Sequence, residues 1–158
     1  MTANLSTSHQ ISPHISSPLY EVDFYGWTQA QAKLLGEGAW EHLDCKNLME
    51  EIESLGRQQR QELRNRLGVL LGHLLKWEFQ AELRSKSWLA TLREQRREIM
   101  ELLEDSPSLR PYLAEACTKA YLAALDLAVR ETPLNYKDFP EICPYSLEQI
   151  LDTAFFPE

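Results

Sequence analysis

One stretch, from Leu63 to Phe79, constrains this chain more than any other, because it is the most apolar segment in the sequence. Leu63, Leu67, Leu70, Leu71 and Leu74 recur at spacings of three and four, so at about 100° per residue they form a single broad stripe on a helix. A stripe of that width needs several other elements to cover it, which puts this helix at the centre of the fold. Gly68 and Gly72 lie one turn apart on the side away from the leucines, and each costs a helix interior about 1 kcal/mol relative to alanine. The expected compensation is close approach by a neighbouring helix or an aromatic ring. The remaining polar feature of the segment is His73.

The flanking sequence also reads as helices. Asp23 can cap a first one, with Tyr20, Phe24, Trp27, Gln31 and Leu34 near helical spacing and Gly36 and Gly38 at its end. Asp44 can cap a second, carrying Leu48, Ile52 and Leu55 and stopping at Gly56, before the central helix runs from about Arg57 to Glu82. Trp88, Leu92, Ile99, Leu102 and Leu103 mark a fourth helix ending near Glu104. Past Pro107 and Pro111, the small-residue stripe of Leu113, Ala116, Cys117, Ala120, Ala124 and Leu127 suits close helix packing.

Beyond Thr132, four prolines exclude a long helix, but Ser146 and Gln149 form a capping box for a short one through Leu151. The aromatic rings between Tyr136 and Phe156 are expected to wrap onto the helices. No alternating strand pattern and no internal repeat is present. The expected fold is all-α: an up-and-down bundle of four to five helices with an aromatic, proline-rich C-terminal tail wrapped on it. Residues 19–158 are expected to form one domain after a disordered leader, 1–18, rich in Ser, Thr, His and Pro.

The formal net charge is -8, unevenly spread. Between Arg57 and Arg97 ten basic residues face four acidic ones, a net of +6 that leaves -14 on the remainder. Either the basic middle packs beside acidic neighbours, or Lys86, Arg93, Arg96 and Arg97, with Trp88 close by, form a patch for an acidic partner such as nucleic acid. Overall acidity and the lack of a helix-turn-helix signature weigh against nucleic acid. Three widely spaced cysteines without a C-x-x-C exclude a disulfide framework and a cysteine-rich zinc site, in keeping with a reducing cytoplasm. The leader lacks the pattern of a secretory signal, and the run from Leu67 to Leu75 is far shorter than the roughly 20 residues that span a bilayer, so no membrane role is expected.

Reaction chemistry finds little to work with. No Glu-x-x-His of the di-iron type occurs, and His73 with Glu51 and Glu94 or Glu98 is a thin ligand set. There is no G-x-S-x-G and no glycine-rich phosphate loop. Cys45, beside Lys46, reads as a packing residue, or as an activated thiol if exposed. No catalytic residue, metal or cofactor is assigned. Glu51 on a stripe edge, His73 on the central helix and Gln95 within the fourth stripe all point near the core. Isolated buried polar groups are costly, so these three, with Trp77, Arg93 and Arg96, are expected to satisfy one another in one network; a ligand or metal pocket is the alternative.

Five motifs in order carry a family resemblance: Leu19-Tyr-Glu-x-Asp-Phe-Tyr-x-Trp27, Asp44-x-x-Asn-Leu-x-Glu-Glu-Ile-Glu-Ser-Leu-Gly56, His73-Leu-Leu-Lys-Trp77, Ser87-Trp88 with Arg93-Glu-Gln-Arg-Arg-Glu-Ile99, and Cys143-Pro-Tyr-Ser-Leu-Glu-Gln-Ile150. Together they resemble the domain of unknown function family twenty-nine, from about Leu19 to the C-terminus. The resemblance implies an all-helical, cytoplasmic bacterial protein of a mainly cyanobacterial family. It places Glu51, His73, Trp77, Trp88, Arg93, Gln95 and Arg96 in the family pattern, and it implies no activity. The expected function is a non-enzymatic protein-interaction module, antitoxin-like, whose partner is another protein or a second copy. The alternatives are a metal- or ligand-binding bundle with a Glu/His site and a nucleic-acid-associated protein using its basic central hairpin.

Overall fold

A computed structural model describes residues 18–158, and the leader expected over residues 1–18 lies, but for Pro18, outside the described residues. Six α-helices and no strand occur among the described residues: α1 (Pro18–Val22), α2 (Phe24–Glu37), α3 (Cys45–Phe79), α4 (Lys86–Asp105), α5 (Leu113–Glu131) and α6 (Leu147–Leu151). The fold is therefore the all-α one expected, with four long helices and two single turns. The chain divides into two compact units, one up to Gly56 and one from Arg57.

In the first unit, Asp23 caps α2 by accepting the Gly26 N–H at 2.9 Å. Gly38 ends it with φ +70, a left-handed conformation that glycine adopts without a Cβ penalty. Asp44 then serves two helices at once. Its Oδ2 accepts from Trp27 Nε1 at 3.2 Å and Asn47 Nδ2 at 2.8 Å, and its N–H donates to Gln31 Oε1 at 2.9 Å. Trp27, Gln31 and Asn47 are the buried residues of this unit.

Gly56 does not stop the helix it was expected to end. The second and central helices are one element of 35 residues, about 52 Å long at 1.5 Å per residue. Gly56 keeps a negative φ, and a Cβ built there meets nothing within 4 Å, so its cost is helix propensity alone, which hydrogen bonding on either side overrides. At its other end α3 stops at Phe79, and Ala81–Leu83 forms a 3-10 turn.

The second unit is built on the leucine stripe. Leu63, Leu67, Leu70, Leu71, Leu74 and Leu75 are completely buried, covered by Leu92, Ile99 and Leu103 of α4 and by Ala116, Ala120, Ala124 and Ala128 of α5. Contacts give the direction of each helix. Arg66 meets Glu98 while Lys76 meets Trp88, so α4 runs antiparallel to α3. Arg64 meets Tyr112 while Lys76 meets Glu131, so α5 runs parallel to α3, and the order is up, down, up.

The paired glycines mark where α5 comes closest. A Cβ at Gly68 would stand 3.4 Å from Ala123 Cβ, and one at Gly72 would stand 2.9 Å from Leu127 Cδ2 and 3.2 Å from the Ala124 carbonyl oxygen. Gly56 and Gly72 thus predict opposite outcomes. Gly56→Ala should stabilise by up to about 1 kcal/mol in a denaturant melt, and Gly72→Ala should destabilise by about 1–3 kcal/mol because it presses on a backbone carbonyl. Equal shifts at the two sites would contradict the close approach.

The tail wraps as expected, with exceptions. Phe139 and Ile150 are buried, Phe79 packs edge-on against Phe139 at 5.3 Å, and Trp77 meets Phe156 at 5.4 Å. Ser146 and Gln149 make the predicted capping box for α6. Tyr136 and Ile142, however, are exposed; the Tyr136 hydroxyl reaches Asp126 at 2.8 Å instead of the core.

Candidate functional site

Of the six residues expected to form one polar network, Glu51 and His73 have separate partners among the described residues, while Trp77 and Arg96 both lie against the Phe156 ring. Glu51 accepts from the Tyr20 hydroxyl at 2.5 Å in the first unit. His73 bonds only within α3, its Nδ1 lying 2.9 Å from the Val69 carbonyl oxygen. Gln95 is half-buried and Arg93 exposed. Trp77 packs against Phe156 with the rings tilted by 47° and lies under the Arg84 guanidinium at 5.1 Å. His73 is answered within its own helix, whereas Glu51 is answered by a hydroxyl from α1.

Arg96, expected both in the buried network and in a basic patch with Lys86, Arg93 and Arg97, is completely buried, so it takes no part in a surface patch. Its Nε donates to the Ile150 carbonyl at 2.9 Å, and its Nη2 to those of Phe155 at 2.9 Å and Gln149 at 3.4 Å. The reason is geometric: α6 and the segment after it turn several backbone carbonyls inward, and a five-donor guanidinium can answer them together. Nη1 has no partner among the described residues.

Most of the other cations of the basic middle also serve the fold. Lys76, 2 % exposed, is paired with Glu131 at 2.6 Å and lies 4.3 Å from the centre of the Trp88 ring. Arg66 pairs with Glu62 and Glu98, and Arg84 donates to the Trp77 and Pro157 carbonyls. Lys86 and Arg93 remain exposed, as does Arg97 beside Glu98 and Glu101. The only sign of the Lys76 arrangement in the sequence is a lysine inside an otherwise apolar run.

Since a carbonyl only accepts, His73 Nδ1 carries the proton of a neutral ring. Burial holds its pKa below the ordinary 6.5, with Lys76 adding to the effect and the Val69 bond and Glu131 opposing it. The unfolded chain binds this proton near pH 6.5 and the folded chain only at lower pH. Stability from His73 is therefore complete above about pH 6.5 and is lost as the pH falls through the lowered value. Glu131, held below its usual pKa by the Lys76 hydrogen bond, contributes its own loss only below about 4.5. Denaturation midpoints should fall between pH 7 and pH 5, and His73→Gln should flatten that decline; an unchanged slope in the variant would assign the dependence elsewhere.

Two of the concavities among the described residues are lined mostly by apolar side chains. The first, about 450 Å³, lies between α5 and the tail and is lined by Cys117, Tyr121, Cys143 and Tyr145 among others. Its hydroxyls are turned away, Tyr121 to the Pro140 carbonyl at 2.6 Å and Tyr145 to Glu78 at 2.5 Å, and burial pushes the Cys117 thiol up to about 12. It offers a ligand no polar handle from these groups and no reactive thiolate.

The second, about 340 Å³, is a groove between α2 and the first turns of α3, lined by Phe24, Trp27, Ala32, Leu35, Leu48, Ile52 and Leu55, with Glu51 on its wall. The stripe expected to be core here stays open, with Ile52 66 % and Leu55 61 % exposed. Of thirteen large apolar side chains exposed among the described residues, nine fall between Leu19 and Leu55. A scattered exposed Leu is ordinary; here six of the nine, Phe24, Tyr25, Leu35, Met49, Ile52 and Leu55, concentrate on one helical pair. Cys45, expected as a packing residue, is exposed close to it in sequence.

Among the described residues no three His, Cys, Asp or Glu side chains gather as a metal site, and no helix is long and apolar enough to cross a membrane. No curated protein and no solved structure matches the chain. A family model described as a domain of unknown function, DUF29, matches residues 19–156. That span takes in α2 to α6 whole and all of α1 but Pro18, so the chain is a member of the DUF29 family.

Proposed function

We propose that the protein is a non-enzymatic protein-docking module and that the groove between α2 and the start of α3 is where its partner sits. The observation that carries this reading is the concentration of exposed apolar side chains on that one helical pair, above all Ile52 and Leu55. The physical argument is that two helices cannot bury the stripes they present to each other's flanks. Isolated helices of this length are marginal in water, and further apolar cover is what would stabilise them. Helix-in-groove recognition uses such a surface, with anchors at helical spacing. In the second unit, buried and half-buried polar groups such as Lys76, Arg96 and Tyr145 are spent on the fold itself.

The test is a photo-crosslinking amino acid placed at position 52 of the full chain in its native host. Adducts with another polypeptide are expected there and not from the same group at Leu122, which is equally exposed on the second unit. Absence of adducts at 52, or an identical adduct pattern from both positions, would overturn the assignment.

A further inference from the structure

Resting on the docking reading, the geometry points to an occupant of one kind: an amphipathic helix of another protein, with an apolar stripe flanked by lysine or arginine. Three observations lead there. The groove runs along α2 from Phe24 to Leu35, about 16 Å at 1.5 Å per residue, and its wall on α3 runs from Leu48 to Leu55. That length takes about three turns of helix. Its lining is nearly all apolar, so an extended strand laid into it would bury backbone N–H and C=O groups without partners, whereas a helix satisfies its own.

Charge then selects among helices. Eight carboxylates and two lysines lie between Leu19 and Gly56, a net of -6. Part of that charge is at the groove itself. Glu51 stands on the wall, accepting the Tyr20 hydroxyl and keeping further acceptor positions. Glu21 and Glu50 lie close enough to Tyr20 to add to the rise of its pKa, to about 12, that the Glu51 hydrogen bond dominates. A second copy would bring the same -6 against this face, and like charges brought together across an interface are unfavourable. A stripe flanked by cations meets both the apolar floor and the acidic rim.

The experiment uses the full chain and two synthetic helical peptides of 18 residues with the same leucine stripe, one flanked by lysine and arginine and the other by glutamate. Binding is read by fluorescence anisotropy at low and high salt. The basic peptide is expected to bind at least about tenfold more tightly than the acidic one, with the advantage shrinking as salt screens the rim. Ile52→Asp should weaken it about tenfold although it adds an attractive charge, which separates seating in the groove from mere attraction to an acidic surface. Leu35→Gln, neutral and at an exposed position, should act in the same direction, and circular dichroism checks that both variants fold.

The outcomes divide cleanly. If both peptides bind equally and Ile52→Asp weakens both, docking stands and the basic partner is overturned. If neither binds and the protein sediments as a dimer that Ile52→Asp dissociates, the occupant is a second copy and the inference is overturned. If neither binds and the protein is monomeric, or if Ile52→Asp strengthens the basic peptide, the groove is not the seat and both readings fall.

Discussion

Replacing Arg96 by alanine is expected to cost about 3–5 kcal/mol in a denaturant melt, the largest loss for any polar residue of the described chain. The side chain is fully buried and its two strongest bonds, both 2.9 Å, end on carbonyls 54 and 59 residues away. A hydrogen bond to a charged donor contributes about 1.5–3 kcal/mol, and removing the donor also leaves the Ile150 carbonyl buried with its Arg96 bond lost. Arg96→Lys should recover only part of the loss, since a single ammonium cannot reach the carbonyls of Ile150, Gln149 and Phe155 from one position as a planar fork does. Limited proteolysis adds a second readout, because the segment after Ser146 should become cleavable in the alanine variant. A loss below about 1 kcal/mol with an uncut tail would remove Arg96 from its anchoring role.

Leu74→Ala is expected to destabilise by about 2–5 kcal/mol, while Ile52→Ala on the same helix should change stability by less than about 0.5 kcal/mol. Both residues belong to regular apolar stripes, and nothing in their spacing tells them apart. Leu74 is completely enclosed, so truncation loses transfer free energy and leaves a cavity; Ile52 is 66 % exposed and loses little of either. The comparison checks the burial pattern on which the docking groove depends. A cost at Ile52 comparable with that at Leu74 would mean that the groove is closed in solution by the chain itself.

The helices were legible because their signals are local. Asp23, Asp44 and Ser146 cap where a side-chain oxygen precedes an apolar period, and the leucine spacing named the buried face of α3 before any neighbour was known. Gly68 and Gly72 announced a close approach, and α5 makes it. What could not be read is whatever depends on the partner of a stripe. Leu48, Ile52 and Leu55 spell core as clearly as Leu67, Leu70 and Leu74 do, yet only the latter have α4 and α5 over them. Gly56 was misjudged because a stop signal needs a left-handed backbone as well as a glycine, and only Gly38 has one.

The polar residues were the hardest. Arg96 looks like its neighbours Arg93 and Arg97 in sequence, and its difference comes from carbonyls more than fifty residues downstream, which carry no side-chain signature at all. Glu51 was singled out for lying on the edge of a stripe, and it does line the groove, but the hydroxyl that answers it belongs to Tyr20 rather than to α3 or α4. Trp27, Gln31 and Asp44, which hold α2 to the start of α3, were visible only as a cap and two stripe positions.

The anchoring of Arg96 also sets an order of events. Synthesis delivers this arginine more than fifty residues ahead of the carbonyls at Ile150 and Phe155. Until those carbonyls are in place, burying the guanidinium against the leucines of α3 would leave its donors without partners, which is costly. Closure therefore waits for a contact of long sequence separation, the kind that forms slowly because its loop entropy must be met first. Arg96 thus ties the last residues of the second unit to a helix made more than fifty residues earlier.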